Sequence, residues 1–348
     1  MSLPLTRPPA NLCLLRLSAL GDVCHALPVV RTLQKVWPAT QLSWIIGKAE
    51  HALLGDIPGI EFITFDKATG LQAYRQLRQQ MRGRHFDVLL HMQMSLRASF
   101  ASRLVPATIR LGFDKQRAGD LQWLFTNARI PNVPHQHVLD SFFEFIRALG
   151  IDERVLEWNI PIPAKTRDAT TARLPTEPFA VISPCSSMAY RNWTPEGYAA
   201  IADYFAVTHN MPTVITGGPS PLELRYGNDI MRRARSEPIN MVGKTNLKEL
   251  LAIIDAARLV VAPDSGPAHM ATAVGTPVVS LFAATNPDRA RPYCDAQGVV
   301  NRYPEAVQAT LHKSVAEVPW GTRVKTPGTM ARITVEDVIG KIELLLQD

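Results

Sequence analysis

Cysteine is scarce in this chain, with four residues in 348. Cys13, Cys24, Cys185 and Cys294 are widely spaced and none forms C-x-x-C. That excludes a disulfide frame or a thiolate zinc site and points to reduced thiols of a cytosolic protein. Neither G-x-G-x-x-G nor G-x-x-x-x-G-K-[ST] occurs, which argues against nicotinamide chemistry and P-loop phosphoryl transfer. D-x-D is missing too, so no such pair holds a metal on a diphosphate, and H-E-x-x-H is absent. An anionic leaving group would have to be stabilised by protein cations and helix dipoles. No apolar run approaches the roughly 18–20 residues of a membrane span. The N-terminal stretch lacks the apolar centre of a signal peptide. Any membrane contact is therefore expected to be peripheral.

What is present is an ordinary globular composition, 46% hydrophobic and 20% charged. At this length it suffices for two cores. The net charge of +6 is a mild excess. Its plain explanation is solubility; the functional ones are an anionic substrate or an anionic membrane surface. No nucleic-acid motif accompanies the charge, so nucleic acid is not expected as a partner.

Short apolar runs alternate with amphipathic stretches. Strands are expected at 12–17, 41–46, 61–65, 86–92 and 108–111. Helices are expected at 23–36, 48–54, 68–83, 96–104 and 137–149. In the last of these, Leu139, Phe142, Phe143 and Ile146 fall on one face, and Gly150 closes it. Residues 160–178 are rich in proline and have no period, which reads as a linker. The alternation then restarts, with strands at 179–183, 213–216, 259–262 and 277–282. Helices are expected at 195–205, 222–236, 246–257, 268–274 and 334–346, and 295–330 reads as irregular. The domains are thus 1–160, a linker at 161–178, and 179–333. A final helix over 334–348 is free to pack back on the N-terminal domain. Such alternation implies two doubly wound α/β sheets, which bind ligands at the carboxyl ends of their strands.

Every candidate motif lies at such an end. Asp22 follows Gly21 after the first strand and is a candidate general base; its plain alternative is a helix N-cap. Ser186 and Ser187 offer hydroxyl donors to phosphate, and Arg191 offers a bidentate cation; the alternative is a surface loop. In D-S-G-P-A-H at 264–269, Gly266 permits close backbone approach. Ser265 and the backbone N–H groups can cradle phosphate, and His269 lies one turn on. Asp264 reads equally as a helix cap, and His269 as a core residue. Glu223 is placed to accept from ribose hydroxyls, or is a solvated first-turn acid. Thr245 can reach a nucleotide, or sits in a plain turn before the Asn246 cap. Basic residues crowd the first domain, Arg97 and Arg117 among them; they form a solvated face or a docking surface for an acidic acceptor.

L-S-A-L-G-D-V at 17–23, S-S-x-x-x-R-x-W at 186–193, and D-S-G-P-A-H-M at 264–270 followed by G-T-P at 275–277 resemble one family. It is the bacterial ADP-heptose:lipopolysaccharide heptosyltransferases, glycosyltransferase family nine. The resemblance spans nearly the whole chain in order. It implies a GT-B fold of two facing Rossmann-like domains, the acceptor in the N-terminal one and the donor in the C-terminal one. It also implies inverting, metal-independent transfer of heptose from ADP-heptose to the Kdo-lipid A inner core, with no cofactor. A cytoplasmic enzyme at the inner face of the inner membrane is expected. Carried onto this chain, Asp22 is the base, and Ser186, Ser187, Arg191, Ser265 and Gly266 hold the diphosphate. Glu223, Thr245, Asp264 and His269 hold the nucleotide and sugar, and Arg97 and Arg117 meet the acceptor. The segment 295–330 and the apolar Met188-Ala-Tyr190 depart from the pattern and leave sugar and acceptor open. Two other readings share the architecture: a transferase using another nucleotide sugar, and a sugar-nucleotide epimerase. A non-catalytic nucleotide sensor is a further one.

Overall fold

A computed structural model describes residues 3–347. The chain divides between Pro161 and Ile162 into two compact units. The first unit contains strands β1 (Asn11–Leu15), β2 (Gln41–Gly47), β3 (Ile60–Phe65), β4 (Phe86–His91), β5 (Ala107–Gly112) and β6 (Ala128–Arg129). Its helices are α1 (Leu20–Val36), α2 (Lys48–Leu54), α3 (Leu71–Gln80), α4 (Leu96–Arg103) and α5 (Val138–Leu149). The sheet is wholly parallel in the order β3-β2-β1-β4-β5-β6. β1 lies at its centre, Leu12 opposite both Leu42 and Val88. A central parallel strand is covered on both faces, which is why β1 and β4 read as unbroken apolar runs. Connections switch direction at β1 and β4, opening a crevice at their carboxyl ends. α5 packs against α1, and Gly150, at φ 102°, takes the left-handed conformation that ends α5. The extended segment after α5 is fastened to α1: Trp158 Nε1 donates to Cys24 O at 2.8 Å and the Val155 N–H to Thr32 Oγ1 at 2.9 Å.

The second unit begins with α6 (Ala164–Thr171), inside the stretch expected to be a structureless linker. Its composition gives little helical signal. Packing against a later helix decides it, with Thr170 buried and Arg167 paired with Asp255. There follow β7 (Ala180–Ile182), α7 (Pro195–His209), β8 (Thr213–Ile215), α8 (Pro221–Arg233), β9 (Ile239–Asn240) and α9 (Leu247–Ala256). Next come β10 (Leu259–Pro263), α10 (Gly266–Val274), β11 (Val278–Phe282) and α11 (Pro287–Ala290). β12 (Val299–Asn301), α12 (Tyr303–Leu311) and α13 (Val335–Leu346) complete the unit. This sheet is also parallel, in the order β12-β11-β10-β7-β8-β9.

Two expectations are corrected here. Residues 295–330 are not irregular: β12 extends the sheet, and α12 buries Tyr303, Ala306 and Val307 against Val324 in a small core of its own. The final helix spends its apolar stripe on its own unit. Val338, Ile342 and Leu345 are buried in the core beside β11 and β12, and Trp193 Nε1 donates to Ile333 O at 3.0 Å just before it. The expected GT-B class of two Rossmann-like doubly wound units agrees with both sheets. All four cysteines are free, Cys294 alone being exposed. Among the described residues, no helix is long and apolar enough to cross a membrane.

Candidate active site

In the first unit, β1 runs into the loop 16–19, and α1 starts at Leu20, three residues earlier than expected. Asp22 is therefore not at a strand end but in the first helical turn. The N-cap position is Ala19, so Asp22 is not the N-cap either. Its carboxylate reaches back to accept the Ala19 N–H at 3.2 Å and pairs with Arg16. The Arg16 guanidinium is nearly buried. It donates to Met92 O at 2.6 Å and lies 5.3 Å from the Phe142 ring. Asp22 is thus held by a cation that is itself fixed from β4 and α5. The loop is pinned further: the Leu17 N–H donates to Gln93 Oε1 at 2.6 Å and the Gly47 N–H to Leu17 O at 2.9 Å. Sequence reading missed Arg16. Its signal is a single arginine closing an otherwise apolar strand.

Beside this loop, at the carboxyl ends of β1–β3, lies a cavity of about 430 Å³. Ser18, Gly47, Glu50, Lys67, Gln93 and Arg97 are in its wall. Glu50 is buried, and desolvation pushes its carboxyl above the usual value of 4.5 despite Lys67 and Arg16 nearby. Arg97, on the exposed face of α4, is in the cavity wall. Arg117, the other residue expected at the acceptor, is held by its own unit. Its Nε pairs with Asp114, its Nη1 donates to Gln136 Oε1 at 2.9 Å and its Nη2 to Pro131 O at 2.7 Å. Each of the three nitrogens makes a bond that braces the 113–136 loop, and Arg117 is not among the residues in the cavity wall.

In the second unit the candidate residues gather where β10 and β7 lie side by side and the connections diverge. The Ser183 N–H donates to Val261 O at 3.0 Å, which aligns the ends of these strands. Arg191, in the loop after β7, pairs with Asp264 after β10: Nη1 stands 3.1 Å from Oδ2 and 3.4 Å from the backbone oxygen. Asp264 Oδ2 also accepts from Thr285 Oγ1 at 2.8 Å. Asp264 is therefore not the cap of α10; that position is Ser265, whose side chain makes no cap bond. Ser265 Oγ and Arg191 Nε are buried with no hydrogen-bond partner among the described residues. A buried donor left unmade costs about 1–3 kcal/mol, and these two lie beside the Arg191–Asp264 pair. Gly266 opens α10 and Pro267 follows it, which suits a first turn whose N–H groups have no intrahelical partner. His269 is buried in α10 one turn on.

Within the β7 loop the two serines separate. Ser186 is buried and its hydroxyl works internally, accepting the Met188 N–H at 3.0 Å and donating to Met188 O at 3.2 Å. Its own N–H donates to Asn192 Oδ1 at 2.8 Å. Ser187 is exposed. Glu223 braces the loop after β8: Oε1 accepts the Gly218 N–H at 2.8 Å and Oε2 the Ser220 hydroxyl at 2.6 Å. It is not a freely solvated acid. Thr245 is half-buried and precedes the Asn246 cap of α9. Its turn adjoins the β8 loop, since the Gly243 N–H donates to Gly217 O at 2.9 Å. Arg191 and Asp264 are thus paired beside Ser265, with His269 one turn along α10, while Glu223 lies in the first turn of α8 and Thr245 in the loop after β9.

The profile of glycosyltransferase family 9 (heptosyltransferase) matches residues 74–320. A lipopolysaccharide core heptosyltransferase, OpsX, of Haemophilus influenzae is 41% identical over 341 residues, covering 98% of each chain. Among solved structures, a family 9 glycosyltransferase from Veillonella parvula superposes with a TM-score of 0.79 at 22% identity, covering 97% of both chains. The Escherichia coli heptosyltransferase WaaC with ADP gives 0.73 at 17% identity, covering 96% of this chain and 99% of that one. At those identities the structures speak for the fold, while the profile and the 41% identical relative speak for the family. The chain belongs to glycosyltransferase family 9, the heptosyltransferases, and is a glycosyltransferase.

Proposed function

We propose that the chain transfers heptose from ADP-heptose to the Kdo-lipid A inner core of lipopolysaccharide by a metal-independent, inverting displacement. The observation that carries this reading is the Arg191–Asp264 pair at the start of α10, with Ser265 Oγ and Arg191 Nε buried and unpartnered beside it. A helix N-terminus contributes roughly 0.3–1 kcal/mol to an anion, up to about 2 when partly buried. A leaving diphosphate needs a cation as well, and Arg191 supplies it. The similarity to a lipopolysaccharide core heptosyltransferase supports the acceptor class.

In the proposed step, Asp22 takes the proton of the acceptor hydroxyl as its oxygen attacks the anomeric carbon. The bond from that carbon to the phosphate oxygen breaks, and ADP leaves with the electron pair. One displacement inverts the anomeric centre. Arg16 orients Asp22 for the transfer, and Arg97 meets the anionic acceptor. Ser187, Gly266, His269, Glu223 and Thr245 are assigned to the donor; Ser186 shapes the loop that carries Ser187 and Arg191. The enzyme is assigned to the cytoplasmic face of the inner membrane.

The test is transfer by the purified chain from ADP-heptose to Kdo₂-lipid A, with and without chelator, followed by product anomeric analysis. Asp22→Asn is expected to cut kcat by about 10²–10⁴-fold while ADP-heptose binding persists. Transfer surviving in that variant overturns the base assignment. Tighter binding of a UDP- or GDP-sugar points to another donor. An altered sugar formed without acceptor points to an epimerase.

A further inference from the structure

The outer face of α3 and α4 in the first unit carries features that sugar transfer does not use. Residues 67–105 contain seven Lys and Arg and a single acid, Asp87. The Asp87 carboxylate is tied by the Ala10 and Asn11 N–H groups at 2.7 and 3.1 Å. Arg75 and Arg78 lie on the solvent face of α3, away from the buried Ala73 and Leu77. On α4, Ala98, Ala101 and Ser102 face the core, whereas Leu96, Phe100 and Arg103 share the exposed side. The two helices are neighbours, since Tyr74 Oη donates to Arg97 O at 3.3 Å, and both pack on one core cluster.

Apolar side chains project from this basic face. Phe100 is 55% exposed and rests edge-on against Phe125 at 5.6 Å. Leu124, in the same segment as Phe125, is 60% exposed, and Leu96 and Leu121 are exposed as well. Asp120 and Asp114, in the segment that carries Leu121 and Leu124, both have partners. Asp120 accepts the Leu96 N–H at 3.2 Å, and Asp114 pairs with Arg117. Arg75, Arg78 and Arg103 form no ion pair among the described residues.

We propose that the α3–α4 face, with Phe100, Leu124 and the arginines between them, docks on an anionic lipid bilayer surface. The charge is the reason to prefer lipid over a second copy of the chain. Self-association through this face would set arginine against arginine, whereas anionic headgroups pair with the guanidinium groups while the bilayer accepts isolated apolar side chains. Arg97 belongs both to α4 and to the wall of the 430 Å³ cavity, so the docking face borders that cavity. A lipid-anchored acceptor then meets the cavity from the membrane plane; this last step rests on the proposed function.

The test is flotation of the full chain with vesicles of phosphatidylcholine alone or containing phosphatidylglycerol. Wild type is expected to bind only the anionic vesicles, and less at high salt. Removing one arginine lowers partition roughly fivefold, so Arg75→Ser/Arg78→Ser lowers it about twenty-five-fold. Phe100→Ser/Leu124→Ser lowers it roughly tenfold or more. Both double variants should keep the wild-type circular dichroism. They should also keep wild-type transfer to a deacylated, soluble acceptor while losing it on vesicle-borne acceptor. No binding by wild type, or equal binding by both variants, overturns the proposal. So does concentration-dependent dimerisation that the variants abolish. Absence of transfer to either acceptor with vesicle binding intact refutes the proposed reaction and leaves the docking face standing.

Discussion

Arg191→Ala is the perturbation that tests the second unit's cluster most sharply. Arg191 stands 3.1 Å from Asp264, and the two side chains are 20% and 8% exposed. Breaking a fully buried pair costs about 3–5 kcal/mol. The partial exposure of Arg191 and the remaining Thr285 hydrogen bond at 2.8 Å reduce the expected loss of folding stability to about 1–3 kcal/mol. Loss of a charge-assisted contact to the diphosphate weakens ADP binding by about 1.5–3 kcal/mol, or roughly 10–150-fold. Arg191→Lys keeps the charge without the fork and should fall between. Isothermal titration with ADP, beside urea unfolding, separates the two effects. The control is the double variant Arg191→Ala/Asp264→Asn, which removes the stranded carboxylate. If Arg191 acts on the ligand, ADP affinity stays low in the double variant. If it only neutralises Asp264, affinity returns. ADP affinity within twofold of wild type in folded Arg191→Ala would refute the assignment of Arg191 to the diphosphate.

Three further outcomes follow from particular contacts. A Cβ at Gly47 would stand 2.3 Å from Leu17 O and 2.4 Å from Glu50 Oε2. The first of these is backbone and cannot swing away, so Gly47→Ala should cost about 1–3 kcal/mol in urea unfolding and displace the Asp22 loop; an unchanged midpoint contradicts the close approach. His91 is fully buried, and desolvation, aided by Arg110, holds its imidazole down at about 3 against an ordinary 6.5. The unfolded chain therefore binds the extra proton first, and stability is lost as pH falls from 6.5 toward 3, by up to about 1.4 kcal/mol per pH unit. His91→Leu should flatten that part of the curve, and an unaltered slope between those pH values sinks the idea. Arg117→Ala should lower stability through the 113–136 loop and leave the acceptor KM within about threefold; a tenfold rise in KM with unchanged stability would restore Arg117 to the acceptor site.

Local signals in the chain were enough to place most elements. Asn246 caps α9 with its side chain on the Lys248 and Glu249 N–H groups, and Thr194 caps α7 through the Gly197 N–H. Gly150 ends α5 where a positive φ is needed. These signals act over a few residues, so sequence alone displays them. The same holds for the apolar runs of β1, β4 and β10, which announce strands covered on both faces. Candidate positions at strand ends were legible for that reason, down to Asp264 and Arg191.

The partners of those positions were not legible. Arg191 meets Asp264 across 73 residues of chain, and only the parallel pairing of β7 with β10 brings them side by side. Asp22 and Arg16 are six residues apart, yet their pairing depends on an arginine anchored to Met92, just beyond the end of β4. α6 became a helix through packing on α9, which its composition does not encode. In α12 the spacing of Tyr303, Ala306 and Val307 was visible, but the Pro- and Arg-rich surroundings masked it. Sequence by itself determined the alternation, the caps and the family motifs, because each is a short-range pattern. Strand order, the ion pairs around Asp22 and Asp264, and the different surroundings of Arg97 and Arg117 were decided only by tertiary structure, because a charge acquires its neighbours from the fold.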